Sequence, residues 1–255
     1  MISVKNAAQI DKMRAAGRLL YEVLTALRPM IVPGAATIDI DRAAHRMIMD
    51  AGAKPSFLGY KDFPNSLCTS VNEVVVHGIP NGKPLVEGDI LGVDCGVILD
   101  GWQSDSAFTA GVGRISREAQ RLIDVTEQCF WKAVASSRKG ARIGDIGFAV
   151  QSHAEANGYQ PIRAMCGHGI GRKMHEDPEV PNYGERGHGF RLLSGMTIAI
   201  EPMIAAGGWE IDINGWDVVT RDHSLCAHYE HTILITDGEP EVLSLPQFAR
   251  GEGGS

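Results

Sequence analysis

The stretch GVDCGVILDGWQSDSAFT, residues 92–109, sets two acids, Asp94 and Asp105, in apolar sequence broken only by a turn signal. Val93, Cys95, Val97 and Ile98 crowd Asp94, so the chain must bury this region and still accommodate its charge. A buried carboxylate is costly unless it finds a hydrogen-bond donor, a proton or a cation. Asp100-Gly101 is a strong two-residue hairpin signal between the apolar runs. With that turn, Leu99 faces Trp102 and Asp105 falls opposite Gly96. Side chains alternate along a strand, so Asp94 shares a face with Gly96. The two carboxylates are then diagonal neighbours on one face, within reach of a common ion.

Two further acids break the pattern in the same way. Glu201 closes MTIAIEPM and Glu230 interrupts HYEHTILIT, each in a run that otherwise reads as core strand. Glutamate is depleted from strands and rarely fully buried unless paired. Four converging carboxylates would carry about −4 and repel one another, which two divalent cations would relieve. Such a set is too rich in oxygen for a structural zinc site, and no thiolate cluster accompanies it. Oxygen ligands with one imidazole suit manganese, iron(II) or cobalt. The imidazole is expected from CGHGIGRKMHEDP, where glycines leave the backbone around His168 unobstructed. His175 lies seven residues on, too far for a helical ligand pair, and is a candidate by its company alone. His77, in VVVHGIPNG, ends an apolar run just before a turn, a place from which it could face a cleft.

The remaining chain supplies the frame. Asn6 and Gln9 predict a capping box ahead of a stripe at Ile10, Met13, Gly17, Leu20, Leu24 and Leu27, stopped by Arg28-Pro29. A second helix is expected from a Thr37 cap to Gly52, a third over 116–138 and a fourth over 144–157. Strand-like runs cover 66–77, 89–99, 102–110, 196–204 and 228–236. Helices thus come in pairs, each pair followed by strands. LVEGDILGVD (85–94) and LLSGMTIAIE (192–201) align without a gap, each with a turn glycine six residues before an acid. One domain over 1–245 with an internal duplication is expected, followed by a disordered tail over 246–255.

Composition excludes several classes. The net charge of −7 and the lack of any basic run disfavour a nucleic-acid partner. No signal-peptide core opens the chain, and no apolar run approaches the roughly 20 residues of a membrane span. Five scattered cysteines with no C-x-x-C pair predict reduced thiols and a cytoplasmic location.

In order along the chain, NEVVVHGIP, GVDCGVILDGWQSDSAFT, GHGIGRKMHEDP, IAIEPM and HYEHTILIT closely resemble the type I methionine aminopeptidases. The likeness runs from the first helix to about Leu245. It implies a pita-bread α/β (α+β) fold, two pseudo-symmetric halves with a curved antiparallel sheet flanked by helices, and two metal ions. By position, Asp94 would hold one ion, His168 and Glu201 the other, with Asp105 and Glu230 bridging. Glu201 would also move the proton, while His77 and His175 would contact substrate around the scissile bond. A methionine pocket is implied at Phe57, Tyr60, Phe63, Cys68, Met174 and Trp216. Met174 stands where many relatives carry phenylalanine, and Phe63 where others carry tyrosine. The implied partners are nascent polypeptides and peptides with N-terminal methionine and, transiently, the ribosome, although a built-in ribosome-docking module is not expected. A monomer without nucleic-acid or membrane partners is expected.

Three rivals remain at this point. A proline-directed peptidase of the same fold would usually carry a substantial N-terminal domain, and only about 70 residues precede the first motif here. The HED run (His175, Glu176, Asp177) could start a non-haem iron triad, which would leave the four strand acids unexplained. A non-catalytic protein on this fold would be expected to have lost ligands, and none is missing.

Overall fold

The computed structural model describes residues 2–246; the expected tail, beyond Pro246, lies outside them. Four helices, α1 (Ala7–Leu27), α2 (Thr37–Asp50), α3 (Arg117–Ser136) and α4 (Ile143–Ala156), form two pairs on one side of an antiparallel sheet. Among the described residues that sheet has nine strands. Its centre runs from Ile90–Leu99 through Trp102–Gly111 and Glu230–Leu234 to Thr197–Ile200, then to Cys166–Gly169 and Glu176–Pro181. Two smaller three-stranded sheets flank it.

The alternation of the Ile90–Leu99 strand decides which face does what. Leu91, Val93, Cys95 and Val97 are buried against α1 and α2, while Asp94 and Gly96 point the other way. Across the sheet, Ile198, Ile200 and Ile233 bury against α3 and α4. Each fully buried side chain of this kind contributes roughly 1.5–3 kcal/mol, which fixes the register and keeps the acids on the opposite face. The hairpin register is the expected one: Leu99 opposite Trp102, Gly96 opposite Asp105 and Asp94 opposite Ala107.

Asn6 and Gln9 form the expected capping box, with both hydrogen bonds at 3.0 Å. Ser116 caps α3 through Ala119 N. Thr37 does not cap α2, because its hydroxyl is engaged by the loop at Asn81, accepting from Asn81 N at 2.9 Å and donating to Asn81 O. Ala36 takes the cap position instead. Three expected strands are also divided, the run 228–236 at Tyr229, between Cys226–His228 and Glu230–Leu234. The run 66–77 breaks into Leu67–Val71 and Val74–Val76 around Asn72, whose φ of 55° no regular strand accommodates. The run 196–204 breaks at Glu201-Pro202, where proline has no N–H for a ladder.

The two halves are built alike in detail. Ala36 bridges Pro84 before α2, and Arg142 bridges Arg191 before α4. Leu85 N donates to Ala35 O and Leu192 N to Ala141 O, both at 2.8 Å. Gly88 and Gly195 turn the chain with φ of 103° and 87°, angles that a side chain would strain.

Gly147 in α4 permits a closer approach still, since a Cβ there would collide with the carbonyl oxygen of Tyr183 and meet that of Pro181 at 2.8 Å. Alanine is about 1 kcal/mol better than glycine in a helix interior, but overpacking costs roughly 1–3 kcal/mol. Because the obstacle is backbone, the clash is expected to win. Gly147→Ala should lower the unfolding free energy by about 1–2 kcal/mol in urea titrations; a more stable variant would contradict this packing.

Candidate metal centre

The sheet face away from the helices carries the site. Asp105 is 4 % exposed and Glu230 2 %. Thr232 holds the backbone between them: Asp105 N donates to Thr232 Oγ1 at 2.9 Å, and the hydroxyl donates to Asp105 O at 3.0 Å. Ser106 Oγ donates to Glu230 O at 2.7 Å, tying the same two strands. Glu201 enters from the broken strand, its carbonyl accepting from the buried amide of Asn182 at 3.0 Å. His168 comes from Cys166–Gly169, its Nδ1 bonded to Gly169 O at 2.9 Å, which leaves Nε2 facing the acids. That nitrogen lies 3.8 Å from Asp105 Oδ2 and 3.6 Å from Glu201 Oε1.

All five residues expected as ligands therefore line one cavity of about 160 Å³. Burial drives the carboxyls upward, Asp105 to about 7. Asp94, Glu201 and Glu230 are pushed well up by burial and then by their carboxylate neighbours. Burial also holds His168 neutral, down to about 4, with a lone pair to offer. Asp94 Oδ1 and Glu230 Oε1 have no hydrogen-bond partner although buried. Among the described residues, ligand atoms of Asp105, His168 and Glu230 converge within 4.8 Å of one another, as do those of Asp94, His228 and Glu230. Crowded, orphaned acids facing neutral imidazoles are the donor set that hard divalent cations fit.

Beside the acids, Phe57, Phe63, Cys68 and Met174 form an apolar cluster, with Tyr60, Ile79 and Trp216 packed on it. All six expected pocket residues are present. Buried Asp41 of α2 accepts from Ser66 N and Leu67 N at 2.8 and 2.9 Å, fixing the strand that delivers Cys68. Burial keeps the Cys68 thiol protonated. A Cβ on Gly96 would stand 2.9 Å from Phe57 Cε1 and 3.0 Å from Met174 Cε, so glycine opens the pocket floor.

The two candidate contact histidines stand at the rim. His77 has φ of 62°, a strained conformation for a non-glycine residue, and its ring meets Trp216 edge-on at 6.2 Å. His175 Nδ1 lies 2.8 Å from Tyr60 Oη, and its ring centroid is 4.2 Å from that of His168. Desolvation, then His168, Lys61 and His77, hold His175 neutral, down to about 3. The turn before it is tied by Glu176, which accepts from Arg172 N at 2.9 Å and pairs with buried Lys5 at 2.8 Å. With Glu176 committed there, and with neither group of converging ligand atoms including His175 or Asp177, the HED run builds no iron triad among the described residues.

Three residues at the site escape the sequence: Lys61, which lines the cavity, Ile79, which packs on its apolar cluster, and His228, which converges with Asp94 and Glu230. Lys61 and Ile79 carry no pattern. His228 carries one, since it stands two residues before Glu230 in the run expected to be a single strand, where alternation would put both on one face.

A family model for metallopeptidase family M24 matches residues 11–237. A methionine aminopeptidase of Clostridium acetobutylicum is 49 % identical over 248 residues, covering 96 % of this chain and 99 % of its own. The crystal structure of methionine aminopeptidase from Rickettsia prowazekii superposes with a TM-score of 0.95 at 44 % identity, covering 96 % of this chain and all of that one. A prolidase structure from Pyrococcus horikoshii matches at TM-score 0.76 and 23 % identity, with 64 % of that chain covered, a likeness of fold alone. The expected pita-bread architecture is the one these structures share.

Proposed function

The chain belongs to metallopeptidase family M24, and on that premise we propose that it removes N-terminal methionine from nascent proteins and peptides whose second residue is small, by two-metal hydrolysis of the first peptide bond. One observation carries this: four acids, two buried and two half-buried, and a neutral histidine converge beside an apolar pocket built of Phe57, Phe63, Cys68 and Met174. Asp94 would hold one ion, His168 and Glu201 the other, with Asp105 and Glu230 between them. The ions, cobalt, manganese or iron(II), would polarise the scissile carbonyl and lower the pKa of an attacking water to about 7.

The chain's own groups do the rest. Glu201 takes a proton at a carboxylate oxygen and returns it to the leaving amine. Tyr60 Oη occupies His175 Nδ1; in the tautomer where the tyrosine donates, the ring proton sits on Nε2, free to meet the developing oxyanion. His77, held by Trp216, contacts the leaving-group side. The thioether of methionine suits Met174 and the aromatic rings, with sulfur–aromatic contact adding roughly 0.3–1.5 kcal/mol. Beyond His175 and His168 an open cleft of about 570 Å³ leads outward, giving the rest of a peptide a path.

No described helix is long and apolar enough to cross a membrane, and the five cysteines are free thiols. We place the enzyme in the cytoplasm as a monomer that meets nascent chains, and transiently the ribosome, and read 1–245 as one domain made by duplication.

His175→Ala should keep both metals while lowering kcat by about 10²–10³-fold, the usual cost of removing one oxyanion donor. Loss of metal from that variant would refute the role. Substrate choice tests the whole: a bulky second residue misplaces the bond, and about 1 Å of misplacement can cost on the order of 100-fold. Met-Ala-Ser should be cleaved far faster than Met-Lys-Ser. Equal kcat/KM values for the two would overturn the assignment.

A further inference from the structure

We propose that His228 is a ligand of the cation held by Asp94, so that each of the two ions has one imidazole. This rests on the two-cation centre above and adds a residue to it that the resemblance does not supply.

The His228 side chain is 4 % exposed, and its Nε2 has no hydrogen-bond partner. That nitrogen lies 3.5 Å from Glu230 Oε2 and 3.9 Å from Glu201 Oε2. Both distances are too long for hydrogen bonds of useful strength. The Glu230 distance is the separation expected of ligands sharing an ion: two atoms each about 2.1 Å from one cation stand roughly 3–4 Å apart at open angles. His168 keeps the same spacing, 3.8 and 3.6 Å, from Asp105 and Glu201. The two converging groups, Asp94 with His228 and Asp105 with His168, share Glu230, as a bridging acid would.

The backbone that carries the ring is also set in place without help from a metal. His228 N donates to Thr109 Oγ1, whose hydroxyl donates back to His228 O, both at 2.9 Å. His228 also pairs with Met203 across a short antiparallel ladder. A buried, unpartnered nitrogen that converges within 4.8 Å on ligand atoms of Asp94 and Glu230, two acids that each keep an orphaned oxygen, has a cation as its natural partner. An imidazole there moves that position from all-oxygen coordination toward cobalt and iron(II) and away from magnesium or calcium.

Diffraction from the cobalt-loaded protein, with anomalous scattering locating the ions, reads the bond directly. His228 Nε2 is expected about 2.1 Å from the ion nearest Asp94. Calorimetry of His228→Gln should show one cobalt equivalent bound at least about 10-fold more weakly, with the other unchanged, which also shows that the variant is folded. An ion beside Asp94 with Nε2 beyond about 3 Å, or unchanged affinity for both equivalents, overturns the assignment. Failure of the unaltered protein to bind two cobalt ions would instead overturn the two-cation centre on which it rests.

Discussion

Asp105→Asn is expected to lower turnover of Met-Ala-Ser by at least about 10³-fold and to leave fewer than two metals bound, since metal polarisation of a carbonyl is worth several kcal/mol. The amide would sit where the carboxylate does. Thr232 clamps the backbone of residue 105 on both sides, and Oδ1 accepts from Ser106 N at 3.1 Å, a bond that an amide oxygen also accepts. What changes is charge. An anion placed between two cations attracts both, whereas an amide attracts neither strongly. The same substitution removes one of four crowded acids, so the metal-free variant should melt higher than the metal-free parent. Lower activity with lower metal-free stability would point to misfolding and contradict this account; emission spectrometry and thermal melting separate the two.

Chelation should destabilise the protein, and more so as pH rises. Burial lifts Asp105 to about 7 and raises Asp94, Glu201 and Glu230. In the unfolded chain such groups titrate near 4. Between about pH 4 and 7 the metal-free folded state therefore binds more protons than the unfolded state, and stability falls with rising pH. Above that window the loss from Asp105 is complete and that from the other three acids, also raised, continues; below it the carboxyls are neutral in both states. Cations reverse the trend, because they bind the deprotonated ligands and bind them better as pH rises. The melting temperatures of loaded and chelated protein should thus lie close together near pH 5 and far apart near pH 8. A gap independent of pH, with metal shown to be absent after chelation, would refute the crowding of charge.

Much of this centre was legible in the sequence because it is an electrostatic contradiction. Asp94 and Asp105 stand out from their apolar neighbours, and a hairpin rule with period-2 alternation sufficed to put them on one face. Glu201 and Glu230 were found by the same mismatch. That they share a cavity with His168 required the long-range order of the strands, in which Glu230–Leu234 pairs with Trp102–Gly111 on one side and Thr197–Ile200 on the other. No local pattern encodes that order. His228 went unnoticed because a histidine beside aromatic and apolar residues provokes no such contradiction. Thr37 misled for another reason: its hydroxyl was assigned to its own helix, while the structure gives it to Asn81, 44 residues away. The breaks at Asn72 and Glu201-Pro202 show the limit of periodicity, which sees a continuous apolar run where backbone angles or a missing N–H end the ladder.

The central claim is that two divalent cations, gathered by these acids, make the chain an aminopeptidase for N-terminal methionine. Metal-free protein titrated with cobalt or manganese, with methionine release from Met-Ala-Ser followed beside hydrolysis of an Ala-Pro peptide, tests it most directly. Methionine release is expected to be absent before metal, to rise with the bound metal, and to exceed Ala-Pro hydrolysis by orders of magnitude. Release that persists in verified metal-free protein, or a metal-dependent preference for the Ala-Pro bond, would contradict it.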